Sequence, residues 1–208
     1  MNNKAINREI QSMQSYVKRG IGIAAVALAG IAITGMTSGP TAGGKVAAAG
    51  NRIVADLSDK ILYVYEADTV AKMYDISDGK NSYPTPRGSF RIRRLNWNPS
   101  WRPPDSEWAK KKTAKGPGEP GNPMKVVKIF FKEPDYYIHG TANVGSLGAS
   151  ESHGCLRMSP DDVTELGRWV LEHGGEWKGE NWFMRILHSR RQEKVIYLSN
   201  PVPISIVE

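Results

Sequence analysis

Cysteine is nearly absent: the chain of 208 residues contains one, Cys155. A single thiol excludes an internal disulfide, so the fold has to be held by an apolar core, which a chain of this length is large enough to build. Acidic residues are also scarce, with 21 Asp and Glu against 28 Lys and Arg and a formal charge of +7. That balance favours anionic partners such as nucleic acid, acidic lipid or a wall polymer. No long basic run selects among them, and the densest cluster, Lys110, Lys111, Lys112 and Lys115, reads as a solvated loop. Internal repeats are lacking, and only one long apolar run is present.

That run, residues 20–36 (GIGIAAVALAGIAITGM), carries no charge and follows the positive flank Lys4, Arg8, Lys18 and Arg19. Its 17 residues sit at the short edge of a membrane span and are long for the apolar part of a secretory signal. A run of small residues at 46–49 offers a cleavage site, but one far beyond the apolar stretch. Residues 1–37 therefore read as a signal peptide or signal anchor, the uncleaved anchor being favoured. The positive flank predicts a cytoplasmic N-terminus and an external C-terminal part in the periplasm or cell envelope. Residues 38–50 read as a linker, and 51–208 as one domain.

From residue 51 the chain turns strand-like. Ile53, Ala55 and Leu57 alternate with polar neighbours, 58–60 reads as a turn, and 61–65 is an aliphatic and aromatic run: a β-hairpin pattern. Further strands are expected at 70–76, 89–93, 126–131, 136–138, 195–198 and 202–207, with turn chemistry at 84–88. One helix is expected after Ser159, a good N-cap followed by Pro160, Asp161 and Asp162, with Val163, Leu166, Val170 and Leu171 on its core face. Residues 96–123 lack periodicity and hold Trp97, Trp101, Trp108, six prolines and three glycines. Long irregular segments in compact domains are usually functional or disordered. This one reads as a lid or binding loop, with Trp97 and Trp101 as substrate contacts.

The chemistry concentrates in residues 136–158, YYIHGTANVGSLGASESHGCLRM. A lone cysteine is more often a small buried hydrophobe than a catalyst, but these neighbours are unusual. A thiol reacts as thiolate, which calls for a nearby base or a positive field. His139 follows a short apolar strand, and His153 lies two residues before Cys155. In an extended chain, residues two apart share a face. Gly140, Gly148 and Gly154 permit close backbone approach, as an oxyanion site built from N–H groups requires. Arg157 adds a fixed charge suited to a thiolate or a substrate carboxylate. A zinc site is excluded on ligand count and spacing, since one cysteine and two nearby histidines leave a ligand unassigned. His173 and His188 read as surface residues.

Ile138-His139-Gly140-Thr141 together with Ser152-His153-Gly154-Cys155-Leu156-Arg157 resembles the active-site signature of the L,D-transpeptidase catalytic domain, also called the YkuD domain. The likeness continues in the opening hairpin, in Gly79 with Pro84-Thr85-Pro86-Arg87-Gly88-Ser89-Phe90, and in the Asn-Pro motifs at 98–104 and 122–123. It spans roughly residues 51 to 207. The resemblance implies a mainly β, sandwich-like catalytic domain with a small helical flank. It implies a cysteine acyltransferase acting on peptidoglycan stem peptides, needing neither metal nor organic cofactor; a monomer is expected, and nucleic-acid binding is set aside on the export signal and the absence of a basic reading element. Cys155 would attack the carbonyl of the diamino acid at position three, and His139, oriented by the Gly140 carbonyl, would be the base. His153, Gly154, Gly140 and Ser152 would support the oxyanion site, and Arg157 and Thr141 would contact substrate. Two alternatives stay open: an L,D-carboxypeptidase, with water as the acceptor, and a wall-binding protein without turnover.

Overall fold

A computed structural model describes residues 50–208. The signal or anchor expected over 1–37, and all but the last residue of the expected linker, lie outside the described residues. Within them the strands are β1 (Arg52–Asp56), β2 (Ile61–Glu66), β3 (Thr69–Asp75), β4 (Asp78–Gly79), β5 (Gly88–Trp97), β6 (Lys125–Lys132), β7 (Tyr136–Gly140), β8 (Ser150–Ser152), β9 (Leu156–Met158) and β10 (Lys194–Val207). Two α-helices follow β9, α1 (Pro160–His173) and α2 (Glu180–His188). Eight strands form one sheet in the order β3-β2-β1-β10-β5-β6-β7-β9, and β4 pairs with β8 in a small second sheet. The architecture is mainly β with a small helical part.

Alternation builds the opening hairpin. Ile53 and Ala55 on β1 stand opposite Val64 and Leu62 on β2, and all four are fully buried. The two runs expected at 195–198 and 202–207 are one strand, β10, with a register shift between Tyr197 and Val202 as it pairs with β5. The expected strand at 89–93 continues to Trp97, whose register partners are Val127 and Lys194.

That extension changes the reading of Trp97. Its indole is fully buried and meets the rings of Phe183 at 5.5 Å and Trp182 at 6.2 Å. Trp97 is therefore a core residue and not a substrate contact: sheet pairing claims it before the irregular loop begins.

Helix α1 forms as its sequence dictates. The Ser159 hydroxyl accepts the Asp162 N–H at 3.1 Å, Pro160 opens the first turn, and Val163, Leu166, Trp169, Val170 and Leu171 face the core. A second helix, α2, was not anticipated. Its apolar residues Trp182, Phe183, Ile186 and Leu187 do fall at helical spacing against the core, but the helix is short and Gly179 caps it without a side-chain bond, so it lacks the start signal of α1.

Candidate active site

Strands β7 and β9 are parallel neighbours, with Ile138 opposite Leu156, His139 opposite Arg157 and Gly140 opposite Met158. Cys155 immediately precedes β9, so the sheet itself carries it to the strand that bears His139. Both residues line one cavity of about 1300 Å³. The same wall includes Thr141, Ser152, His153 and Arg157. Parallel pairing at the sheet end thus brings together residues spaced 16 apart in the chain.

His139 is buried, and its Nδ1 lies 2.9 Å from the Gly140 carbonyl oxygen. A carbonyl can only accept, so Nδ1 is the protonated nitrogen and Nε2 keeps its lone pair. Burial lowers the imidazole to about 4; the Gly140 bond opposes this, while the Arg157 and Lys128 cations reinforce it. Lys128 is a register partner of His139 on β6, so the imidazole has a cation on each flanking strand. Gly140 has no room for a side chain, because a Cβ there would fall 2.7 Å from the Lys125 carbonyl oxygen and 3.0 Å from Val163 of α1.

Cys155 is half-buried and donates its thiol proton to the Asp135 carbonyl at 3.4 Å. Burial pushes this thiol up to about 11, against hydrogen bonds from the Tyr137 backbone and hydroxyl and the charges of Lys128 and Arg157. The resting pair is consequently a neutral thiol and a neutral imidazole at physiological pH. Ser152 fixes the turn before the nucleophile. Its hydroxyl donates to the Cys155 carbonyl at 2.6 Å and accepts the Gly154 N–H at 3.0 Å. Gly154 therefore braces the turn, and its N–H is not directed at a ligand.

The turn is not extended at this point. Gly154 has φ +103, a conformation that L side chains rarely adopt, and a Cβ would lie 2.8 Å from the Tyr136 ring. The alternation argument that placed His153 and Cys155 on one face fails for that reason. The His153 ring stacks instead on Trp108, centroids 3.9 Å apart at 17°, and tilts against Tyr83 at 4.9 Å. Burial lowers its pKa, helped by Lys80, Arg157 and Lys112.

The irregular segment is pinned at its base and reaches the site at its tip. Trp101 and Lys115 exchange backbone hydrogen bonds of 2.8 Å in both directions. The Asn122 amide donates to the carbonyls of Pro99 and Gly116, each at 2.9 Å, and the Asn98 amide donates to the Ile186 carbonyl of α2 at 2.7 Å. Trp101 is buried in the cavity wall, and Trp108, on a short 3-10 turn, supplies the contact to His153. Of the two tryptophans expected to meet substrate, Trp101 lines the cavity and Trp97 does not. Arg102, Lys111, Lys112, Lys125, Lys128 and Arg157 also face this space, against the acids Asp135 and Glu193. Thr141 closes the wall beyond His139, its hydroxyl accepting the Asn143 N–H at 3.1 Å.

Sequence reasoning missed Tyr137, Lys128 and Tyr83 as parts of this site. For Tyr137 a signal existed, since it lies two residues before His139 on a strand and so shares its face. Lys128 and Tyr83 arrive through strand pairing and loop packing, which leave no local mark.

A family model for the L,D-transpeptidase catalytic domain, YkuD, matches residues 50–196. Among curated proteins, the chain is 35% identical over 119 residues to the putative L,D-transpeptidase YkuD of Bacillus licheniformis, covering 57% of this chain and 59% of that protein. It is 36% identical over 102 residues to the putative L,D-transpeptidase YqjB of Bacillus subtilis, covering 47% and 53%. The chain thus spans little more than half the length of these relatives. Among solved structures, the Ldtfm–avibactam carbamoyl enzyme is similar in fold, with TM-score 0.50 and 16% identity over 76% of this chain and 49% of that one.

Proposed function

This chain belongs to the L,D-transpeptidase catalytic domain family, and we propose that it is a peptidoglycan L,D-transpeptidase with Cys155 as nucleophile and His139 as base. The observation that carries this reading is the Nδ1 bond of His139 to Gly140, which leaves Nε2 basic in the cavity that also holds Cys155. The basic lining of that cavity suits a donor rich in carboxylates, as stem peptides are.

In the proposed reaction the thiol proton passes to His139 Nε2 as Sγ bonds to the carbonyl carbon of the donor's third residue. The bond from that carbon to the terminal residue's nitrogen breaks, and the imidazolium returns the proton to the departing amine. An acceptor amine then attacks the thioester and gives its proton to Nε2. The new amide forms, sulfur leaves, and the imidazolium restores the thiol. Because thiol and imidazole are both neutral at rest, proton transfer accompanies attack and no standing ion pair is required. The amides of His153 and Cys155 are the candidates for the oxyanion, since Ser152 already occupies that of Gly154. The basic leader and apolar run at the N-terminus support a place on the outer side of the cytoplasmic membrane.

Incubation with purified muropeptides, read by mass spectrometry, tests the proposal. Wild type should yield cross-linked product, Cys155→Ala none, and His139→Ala a rate lower by about two to four orders of magnitude. Near-normal turnover by either variant would refute it. Trimmed donor without cross-links would make the protein an L,D-carboxypeptidase instead.

A further inference from the structure

Tyr137 has no part in the proposed reaction, yet it packs against His139 and lines the cavity that holds Cys155. It leaves β7 on the same face as His139, and the two rings meet at 5.7 Å and 62°. Phe130 of β6 packs edge-on against it at 5.2 Å. Tyr137 lines the same cavity as Cys155, and its hydroxyl and backbone N–H both act to lower the thiol's pKa. The Lys128 ammonium stands 4.8 Å from the centre of the same ring, held there by a 2.8 Å bond to the Ser100 carbonyl. One aromatic side chain therefore packs against a half-buried cation on the wall of the cavity that also holds the sulfur.

We propose that Tyr137 and Lys128 act as a pair that holds the Cys155 thiolate: the Tyr137 hydroxyl donates to Sγ, and the Lys128 ammonium stabilises the charge from across the ring. Tyr137 touches a reacting atom and is in that sense catalytic; Lys128 is a positioning residue that works through it. The inference rests on Cys155 being the nucleophile.

The physical need for such a pair is plain. When the thiol proton leaves for His139, the Asp135 carbonyl that accepted it faces a negative sulfur and can no longer help. The charged and polar groups that share the cavity with the sulfur are then His139 on β7, Lys128 on β6, Arg157 on β9, and Asp135 and Tyr137. Among them the phenol is the neutral hydroxyl donor. Burial, together with the neighbouring sulfur, raises the phenol's own pKa well above the usual tyrosine value, so it remains protonated. A cation over the ring draws electron density from it and strengthens the hydroxyl as a donor. No proton leaves Tyr137 at any step.

The test uses the full chain and no peptidoglycan. Cys155 is the sole cysteine, so alkylation by iodoacetamide reports its thiolate fraction without background. At about pH 8, well below the thiol's midpoint, a rise of one unit in that midpoint slows alkylation about tenfold. Both Tyr137→Phe, which keeps the ring, and Lys128→Met, which keeps the phenol, should show a fall of that order. The alkylation rate of each should still climb with pH, displaced to higher values. A residue that merely filled space would leave the rate unmoved when its hydroxyl is removed. An unchanged rate in either variant, folded by circular dichroism, overturns the pair. Should Tyr137→Phe fail to fold, Lys128→Met alone decides in the same way. Loss of transpeptidation in a protein that still alkylates normally would count against the proposed function and leave the pair untouched.

Discussion

His139 donates its Nδ1 proton to the carbonyl of its own neighbour, Gly140, across 2.9 Å. This short contact sets the chemistry available at the other nitrogen. Because burial and two cations hold the imidazole at about 4, Nε2 stays a free base far below the pH at which an ordinary histidine would protonate. The rate of transfer should therefore be flat through neutrality and fall only as pH drops through about 4. Arg157→Gln, which removes one of the two cations, should move that acid limb upward toward the ordinary histidine value. The limb belongs to the coupled thiol–imidazole pair and not to either group alone. An acid limb near 6.5 in the wild type would contradict the environment described for His139.

The same depressed pKa makes a statement about stability. Between the ordinary value of 6.5 and the folded value of about 4, the unfolded chain binds a proton at His139 that the folded protein refuses. Stability from this residue is therefore complete above 6.5, declines as pH falls through the window, and is gone below about 4. The shift corresponds to about 3 kcal/mol. Urea denaturation at several pH values should show this slope, and His139→Gln should flatten it. Equal slopes in the two proteins would show that the imidazole titrates alike folded and unfolded.

Gly154 tests the nucleophile turn. Alanine at φ +103 carries backbone strain, and its Cβ would press the Tyr136 ring from 2.8 Å. Gly154→Ala should lower the melting temperature and reduce turnover more than the stability loss accounts for, since the Ser152 bonds that seat Cys155 depend on this turn. Wild-type turnover in a folded Gly154→Ala protein would show that the turn has slack.

What the sequence could reveal followed from how local each feature is. The histidine and cysteine segments are contiguous motifs, and the Ser159 cap lies next to the helix it starts, so both were legible. Trp97 was misread because it abuts a proline-rich stretch, while its fate is decided by pairing with Val127 and Lys194, far along the chain. The placement of His153 failed at a single residue, Gly154, whose positive φ breaks the two-residue alternation. Helix α2 does carry an apolar stripe of Trp182, Phe183, Ile186 and Leu187, but over a short run with no capping side chain to mark its start. Lys128 reaches the site only through the register of β6 on β7, and register is not written in any one segment.

The leader makes a separate prediction. If residues 1–37 are an uncleaved anchor, carbonate washing of membranes should leave the protein in the pellet, with protease added outside the cell degrading the domain from residue 50 onward. Recovery of a soluble form beginning near Ala49 or Gly50 would establish cleavage. Protection of the domain within the cytoplasm would remove the wall as its substrate.

Trp108 and Trp97 separate the roles first assigned to a single loop. Trp97 lies among Trp182 and Phe183 in the core, so Trp97→Ala should cost about 3–5 kcal/mol in stability and reveal nothing about substrate. Trp108 sits on the loop tip, stacked on His153 at 3.9 Å, beside the turn that carries the nucleophile. Water far outnumbers any acceptor amine, so a transferase has to shield its thioester, and an aromatic cover over the cavity is suited to do so. Trp108→Ala should fold normally, retain donor cleavage, and shift the products from cross-linked toward hydrolysed. The loop's base remains pinned in that variant, because the Trp101–Lys115 bridge and the Asn98 and Asn122 amides do not involve Trp108. Mass spectrometry of both products from one reaction gives the ratio directly. A folded Trp108→Ala protein with the wild-type ratio would mean that the stack orders the turn without guarding the acyl-enzyme.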